Sequence, residues 1–289
     1  MSLVLAHSAA VGWTFDPLQI APIAVLAALY WRRAHTLARR GTPVPRGKRA
    51  LFATAIALLL AALVTPLDSL GEESFFWAHM AQHVLLGDLA PLCLVAGLTG
   101  PMLRPVLAIS VFDRLRILTH PFVALPLWAV NLYLWHVPWF YEAALHHDAV
   151  HALEHVLFFT GGALMWAPVV EVLPGAEWFG TGAKLAYIFA VRLIETILAN
   201  LFLWSGHPFY ATYDHTPIWG LSAASDQVYA GAVMMGEGGL VTLVAIAWLF
   251  LRMASEGELR QRLLESGLDE RQVKRAVRYG RAQELPGAR

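Results

Sequence analysis

The chain has 289 residues, of which 57% are hydrophobic and only 15% charged, and its mean hydropathy of +0.53 is far above what a water-exposed surface tolerates. Its 21 basic and 21 acidic residues cancel, so no overall basic field points to nucleic acid and none is expected as a partner. A single cysteine, Cys93, excludes an internal disulfide and any thiolate-pair metal or redox chemistry.

A bilayer core needs roughly 20 mostly apolar residues per helix. Seven stretches qualify: Asp16 to Trp31, Ala50 to Leu67, Phe75 to Leu98, Phe122 to Tyr141, Val150 to Val170, Ala183 to Ser205 and Val228 to Leu251. The pattern predicts an all-α, polytopic integral membrane bundle of seven transmembrane helices. Residues 1–15 are apolar without a positive leading segment and read as a short extracytoplasmic tail, in preference to a cleaved signal peptide. Residues 16–251 form the transmembrane domain and 252–289 a charged cytoplasmic tail. Trp31, Trp77, Trp139, Trp178 and Trp204, near span ends, suit interfacial anchors.

Orientation follows from where the basic residues fall. Arg32, Arg33, Arg39, Arg40, Arg46, Lys48 and Arg49 lie between spans one and two, and Arg104, Arg114 and Arg116 between spans three and four. Lys184 opens span six, the rest follow span seven from Arg252 onward, and only Arg192 sits inside a span. The basic loops are cytoplasmic, so the chain runs N-out, C-in across the bilayer. After Arg252, a Ser-Gly break at Ser266 and Gly267 divides the tail into two short helices, the second from Asp269 to Tyr279. The tail reads as topogenic and solvated rather than as a lipid or partner site.

Twelve histidines are many for such a chain, and ten of them fall on the outer side of this topology. At ~1.5 Å of rise per residue, His79 and His83 sit about 6 and 12 Å below the outer end of span three. His136 lies about 8 Å below the same surface, counted back from Tyr141, and His151 and His155 occupy a similar layer of span five. HMAQH and HALEH each place two histidines four apart, on one helical face. Such a pair can bite one metal, since imidazole suits zinc, copper, iron or nickel once neighbours accept the second N–H; Glu154, Gln82, Asp226 and Gln227 are candidates for that. The competing reading is a set of interfacial histidines hydrogen-bonding between helices. His146, His147, His207 and His215 lie in or beside outer loops, where solvated histidine is the default. In span seven, Met234 and Met235 offer soft thioethers that favour copper(I) over zinc, although methionine in a lipid span is most often packing. Deeper still, Asp88, Arg192, Glu195 and Glu237 fall near the middle of their spans, where charge is costly, and read as an ion-pair brace ahead of a proton or ion path.

In order along the chain stand HMAQHVLL from His79, WHVPWFYEAAL from Trp135, HALEHVLFFTGGALMWAPV from His151 and DQVYAGAVM from Asp226. With these motifs, over roughly Trp13 to Arg252, the chain resembles the CtaG family of bacterial cytochrome c oxidase assembly factors, the seven-span group associated with aa- and caa-type oxidases. The resemblance implies a non-enzymatic factor in the bacterial cytoplasmic (inner) membrane that furnishes copper to the catalytic subunit of cytochrome c oxidase. An extracytoplasmic copper donor and the lipid bilayer would be its other partners. Carried onto this sequence, the implied metal residues are His79, His83, His136, His151 and His155, with Asp226, Gln227 and Met235 as motif members; the resemblance does not rank them as ligands.

Three other readings stay open. An integral-membrane zinc hydrolase would use the same histidines with Asp226 or Glu154 as its carboxylate, but no aligned serine or aspartate completes that site. A haem carrier would need one haem between His83 and His155. A transporter finds support only in the midplane charges, and no inverted repeat accompanies them.

Overall fold

The computed structural model describes residues 11–214, 217–282 and 285. The first ten residues of the expected outer tail, and His215, lie outside them. Among the described residues the chain is all-helical, and its extended backbone amounts to one isolated bridge between Ile218 and Leu221. The helices are α1 (Pro17–Arg39), α2 (Arg46–Val64), α3 (Pro66–Glu73) and α4 (Phe76–Val84). A π-helical turn, Leu85–Leu89, carries α4 without a break into α5 (Ala90–Gly97). Then follow α6 (Gly100–Leu107), α7 (Ser110–Leu115), α8 (Pro121–Trp135), α9 (Pro138–His146), α10 (Asp148–Val170), α11 (Thr181–Trp204), α12 (Ala223–Glu265) and α13 (Glu270–Arg278).

Proline writes many of these boundaries, because its missing N–H costs nothing in the first helical turn and breaks a helix elsewhere. Pro17, Pro66, Pro121 and Pro138 each open a helix. Asp16 and Thr65 cap two of them, accepting hydrogen bonds from the N–H groups of Leu18 and Leu67.

By length and composition, five helices can cross a membrane: α2, the continuous α4–α5 rod, α10, α11 and α12. The other two expected spans take a different form. The stretch from Phe122 to Tyr141 is divided, since α8 stops at Trp135 after 15 residues and Pro138 starts α9. The first stretch does form α1, of 23 residues, but that helix runs on into Arg32, Arg33 and Arg39. The first of the two expected tail helices is not separate either, because α12 continues for 43 residues through Glu265.

The chain forms two compact units. The first comprises the chain through Val172 together with Ile194–Glu237. At one end of it, Tyr30 stacks on Phe52 with ring centroids 3.6 Å apart, within a core that includes Ala34, Leu37, Val44 and Met102. Here Lys48 Nζ donates to Ala96 O (2.6 Å) and Tyr30 Oη to Gly97 O (3.1 Å), satisfying carbonyls that the end of α5 leaves open. Farther along, α10 presses against the rod. A Cβ on Gly162 would stand 1.9 Å from the carbonyl oxygen of Gly87, so only glycine permits this approach.

The second unit comprises Leu173–Leu193 and Gly238–Arg289. Glu256 holds it together, accepting from Thr181 Oγ1 (2.8 Å) and from Arg252 Nε (2.7 Å). Arg278 donates to the carbonyls of Ala176 and Phe179. Asp269 caps α13 through the N–H groups of Arg271 and Gln272, and Val273 and Ala282 pack on Leu263. Along α12 this unit exposes Leu240, Leu243, Val244 and Phe250, an outward apolar face of the kind a membrane-spanning helix presents.

Candidate metal centre

Five imidazoles in the first unit form a continuous ladder. His79 and His83 project from one face of α4 with ring centroids 4.2 Å apart, and His151 and His155 from one face of α10 at 4.1 Å. Rungs join the two helices: His79 to His151 at 5.7 Å and His83 to His155 at 5.9 Å. His136 extends the ladder from His83 at 6.5 Å. All five are buried, and His79 is wholly so.

The ladder is short of hydrogen bonds. Both ring nitrogens of His79 and of His83, and Nε2 of His136, His151 and His155, are buried without a hydrogen-bond partner, as are both carboxylate oxygens of Glu154. Buried polar atoms left this way each cost about 1–3 kcal/mol, so a fold that gathers them needs a reason. The donor set supplies one. One atom each from His79, His83 and Glu154 lie within 4.8 Å of one another, a spacing that one ion can bridge with small side-chain adjustments. His83 Nε2 stands 3.8 Å from Glu154 Oε1, which makes Glu154 the nearest of the proposed N–H acceptors.

His136 has a different setting from the one its sequence predicts. It is the C-cap of α8, not a residue well inside a longer helix, because Val137 and Pro138 turn the chain. Its Nδ1 lies 2.7 Å from Leu132 O. A carbonyl only accepts, so that nitrogen holds the proton and Nε2 keeps a lone pair for a ligand. Tyr210 Oη donates to His136 O (2.9 Å) and stacks on Tyr141 at 3.9 Å, fixing the turn.

Two motif residues are engaged elsewhere. Asp226 accepts the N–H groups of Phe76 (2.7 Å) and Trp77 (3.0 Å), so both carboxylate oxygens satisfy amides at the start of α4. Gln227 bridges Phe209 N, Ser205 Oγ and His207 O. Gln82 also serves structure, donating to Asp68 Oδ1 (2.6 Å) and Ala62 O (3.1 Å). Met235 is half-buried, and its neighbour Met234 is the one that reaches a cavity beside the ladder.

Sequence reasoning passed over Glu72 and Met80. Glu72 Oε1 lies 3.0 Å from His151 Nδ1, carried there by α3, which packs against α4. Gly71 permits the close approach, since a Cβ there would stand 2.9 Å from His79 Cα. Glu72 is partly exposed at 35% and so joins the ladder to the surface. Asp68, one turn earlier, is buried, and its carboxyl is pushed up to about 6 by that burial and then by the charge of Glu72. Met80, three residues before His83, lines a cavity of about 50 Å³ with His83, His136, Met234, Asp88 and Glu237. In its wall Asp88 accepts from Trp166 Nε1 (2.5 Å) and hydrogen-bonds Glu237.

No solved structure matches the chain. Two curated proteins do, an uncharacterized protein of Mycobacterium bovis and one of Mycobacterium tuberculosis, each 24% identical over 264 residues and 84% of this chain. The chain spans about 40% of the length of these relatives. A family match runs from residue 28 to 256 and so takes in all five histidines of the ladder. The chain belongs to the cytochrome c oxidase caa3 assembly factor family, Caa3_CtaG.

Proposed function

We propose that this protein holds copper in the histidine ladder on the extracytoplasmic side of the bacterial cytoplasmic membrane and passes it to the catalytic subunit of cytochrome c oxidase. One observation carries the reading: five linked, buried imidazoles keep unpaired ring nitrogens, and two of them, His79 and His83, converge on the buried carboxylate of Glu154. Copper here is cargo, and the protein acts as an assembly factor rather than an enzyme. Neutral imidazoles bind copper well without thiolates, and neighbouring rings 4–6 Å apart allow an ion to change ligands stepwise. Glu72 is the acceptor for a donor protein on the outer side.

The topology behind this reading is seven spans with the N-terminus outside, α1 and the α8–α9 pair supplying the two that fall short by length or composition. Supporting the cytoplasmic assignment of the basic segments, Arg33 and Lys48 both donate to carbonyls near the far end of the rod from the histidines, Pro101 O and Ala96 O.

The set of two histidines and one glutamate also favours a second reading, a zinc hydrolase, because that set recurs in catalytic zinc sites. Against it, His79 and Glu154 are fully buried, whereas a hydrolytic zinc keeps an open position for water and substrate.

Elemental analysis of the protein purified in detergent decides between the two. Copper retained by the native chain and lost from the His83→Ala/His155→Ala variant is the expected result. Zinc at one per chain with hydrolysis of lipid amides or esters would establish the rival, and no metal in either protein would overturn both.

A further inference from the structure

We infer that the cavity beside the ladder is a distinct copper(I) site, built from the thioethers of Met80 and Met234 and the imidazoles of His83 and His136. The inference rests on the copper reading above and adds to it the oxidation state of the cargo and a second, inner position for it.

Several observations converge there. The cavity of about 50 Å³ exceeds the ~10–15 Å³ that a single water needs, so an ion fits. His136 lines it and has a nitrogen to spare: the residue is 8% exposed, its Nδ1 is tied to Leu132 O, and Nε2 is buried without a partner. His83, 6% exposed and with both ring nitrogens unpartnered, lines the same cavity, its ring centroid 6.5 Å from that of His136. Met80 is three residues from His83 on α4 and therefore shares its face, while Met234 enters from α12.

The donor types set the choice of metal. Thioether sulfur is a soft, neutral ligand that favours copper(I); zinc and copper(II) prefer nitrogen and oxygen. The outer ladder offers only imidazole and carboxylate, so the two ends of one connected site differ in softness. The carboxyl groups of Asp88 and Glu237 in the same wall offset the cost of placing a cation away from water. His83 belongs to both the ladder and the cavity, which makes it the point of exchange, and no change of oxidation state is needed as copper(I) moves inward.

X-ray absorption at the copper edge tests this on the full chain in detergent, loaded anaerobically with copper(I) from a chelator buffer. Sulfur in the copper shell of the native protein and of Cys93→Ser, and its loss in Met80→Leu/Met234→Leu, is the expected result. The double variant should also bind copper(I) at least about tenfold more weakly while holding zinc(II) as the native chain does. Leucine conserves the volume of methionine, and the native spectrum requires no variant at all. A shell of nitrogen alone, or sulfur that vanishes in Cys93→Ser, overturns this site and leaves the copper ladder standing. Native protein that retains no copper overturns both.

Discussion

Two polar constellations lie close together in the first unit and are built on opposite rules. Around Asp226, the polar side chains are matched: its oxygens take two amides, Gln227 bridges three groups, and Glu142 accepts from Thr212 N and Thr212 Oγ1. Tyr213 Oη donates to Gly71 O. In the histidine ladder, seven ring nitrogens and both oxygens of Glu154 have no partner. Matched polar groups hold a fold together, whereas unmatched ones reduce its stability until something binds them. Both constellations carry family motifs, and the difference separates the residues that build the site from those that would touch its ligand.

Asp226→Ala is the substitution with the largest expected effect on stability. It orphans one buried and one part-buried amide, at about 4 kcal/mol together, so the midpoint of thermal unfolding in detergent should fall steeply while folded protein keeps its metal. An unchanged midpoint with lost metal would reverse the comparison and make Asp226 a ligand. Gly162→Ala comes next, at about 3 kcal/mol. Its Cβ forces α10 away from Gly87, spreading the two halves of the ladder without touching the Asp226 network, so metal affinity should fall along with stability. His155→Leu should leave the metal-free protein within about 1 kcal/mol of native, on the stable side, because it removes an unpaired nitrogen. Protection by added copper should weaken with it, to what the ligands that remain at His79, His83 and the inner cavity supply.

The last effect concerns pH. Asp68 has its carboxyl raised from 3.8 to about 6 in the folded chain, chiefly by burial. Between pH 4 and 6 the folded state therefore holds a proton that the unfolded state has lost, and stability falls as pH rises through that window, by at most about 1.4 kcal/mol per pH unit. Asp68→Asn should flatten that slope in thermal scans at pH 4 to 7. A slope that persists would assign it to other groups.

The ladder was legible because its information is local: two H-x-x-x-H pairs set their own faces, and depth follows from rise per residue. What could not be read involves phase or distance in sequence. Met234 and Met235 differ by ~100° around a helix apolar on most sides, so periodicity does not tell which one faces inward. Asp226 caps a helix whose start lies 150 residues earlier, and nothing near it in sequence distinguishes a cap from a ligand. Glu72 reaches His151 only through the packing of α3 on α4. The end of α8 was signalled by Pro138, which a count of apolar residues overlooked.

The π turn at Leu85–Leu89 has a consequence for how one helix serves two tasks. In an unbroken α-helix, Asp88 would stand ~140° around the axis from His83; absorbing one extra residue removes about 100° of that. The inserted residue thus acts as a gear, bringing a midplane carboxyl into angular alignment with the histidines above it. Its removal would leave HMAQH where it is and swing the lower half of the rod, Asp88 and Gly97 included, by nearly a third of a turn. A one-residue deletion here would then uncouple the mouth of the site from its floor while every amino acid named in either is still present.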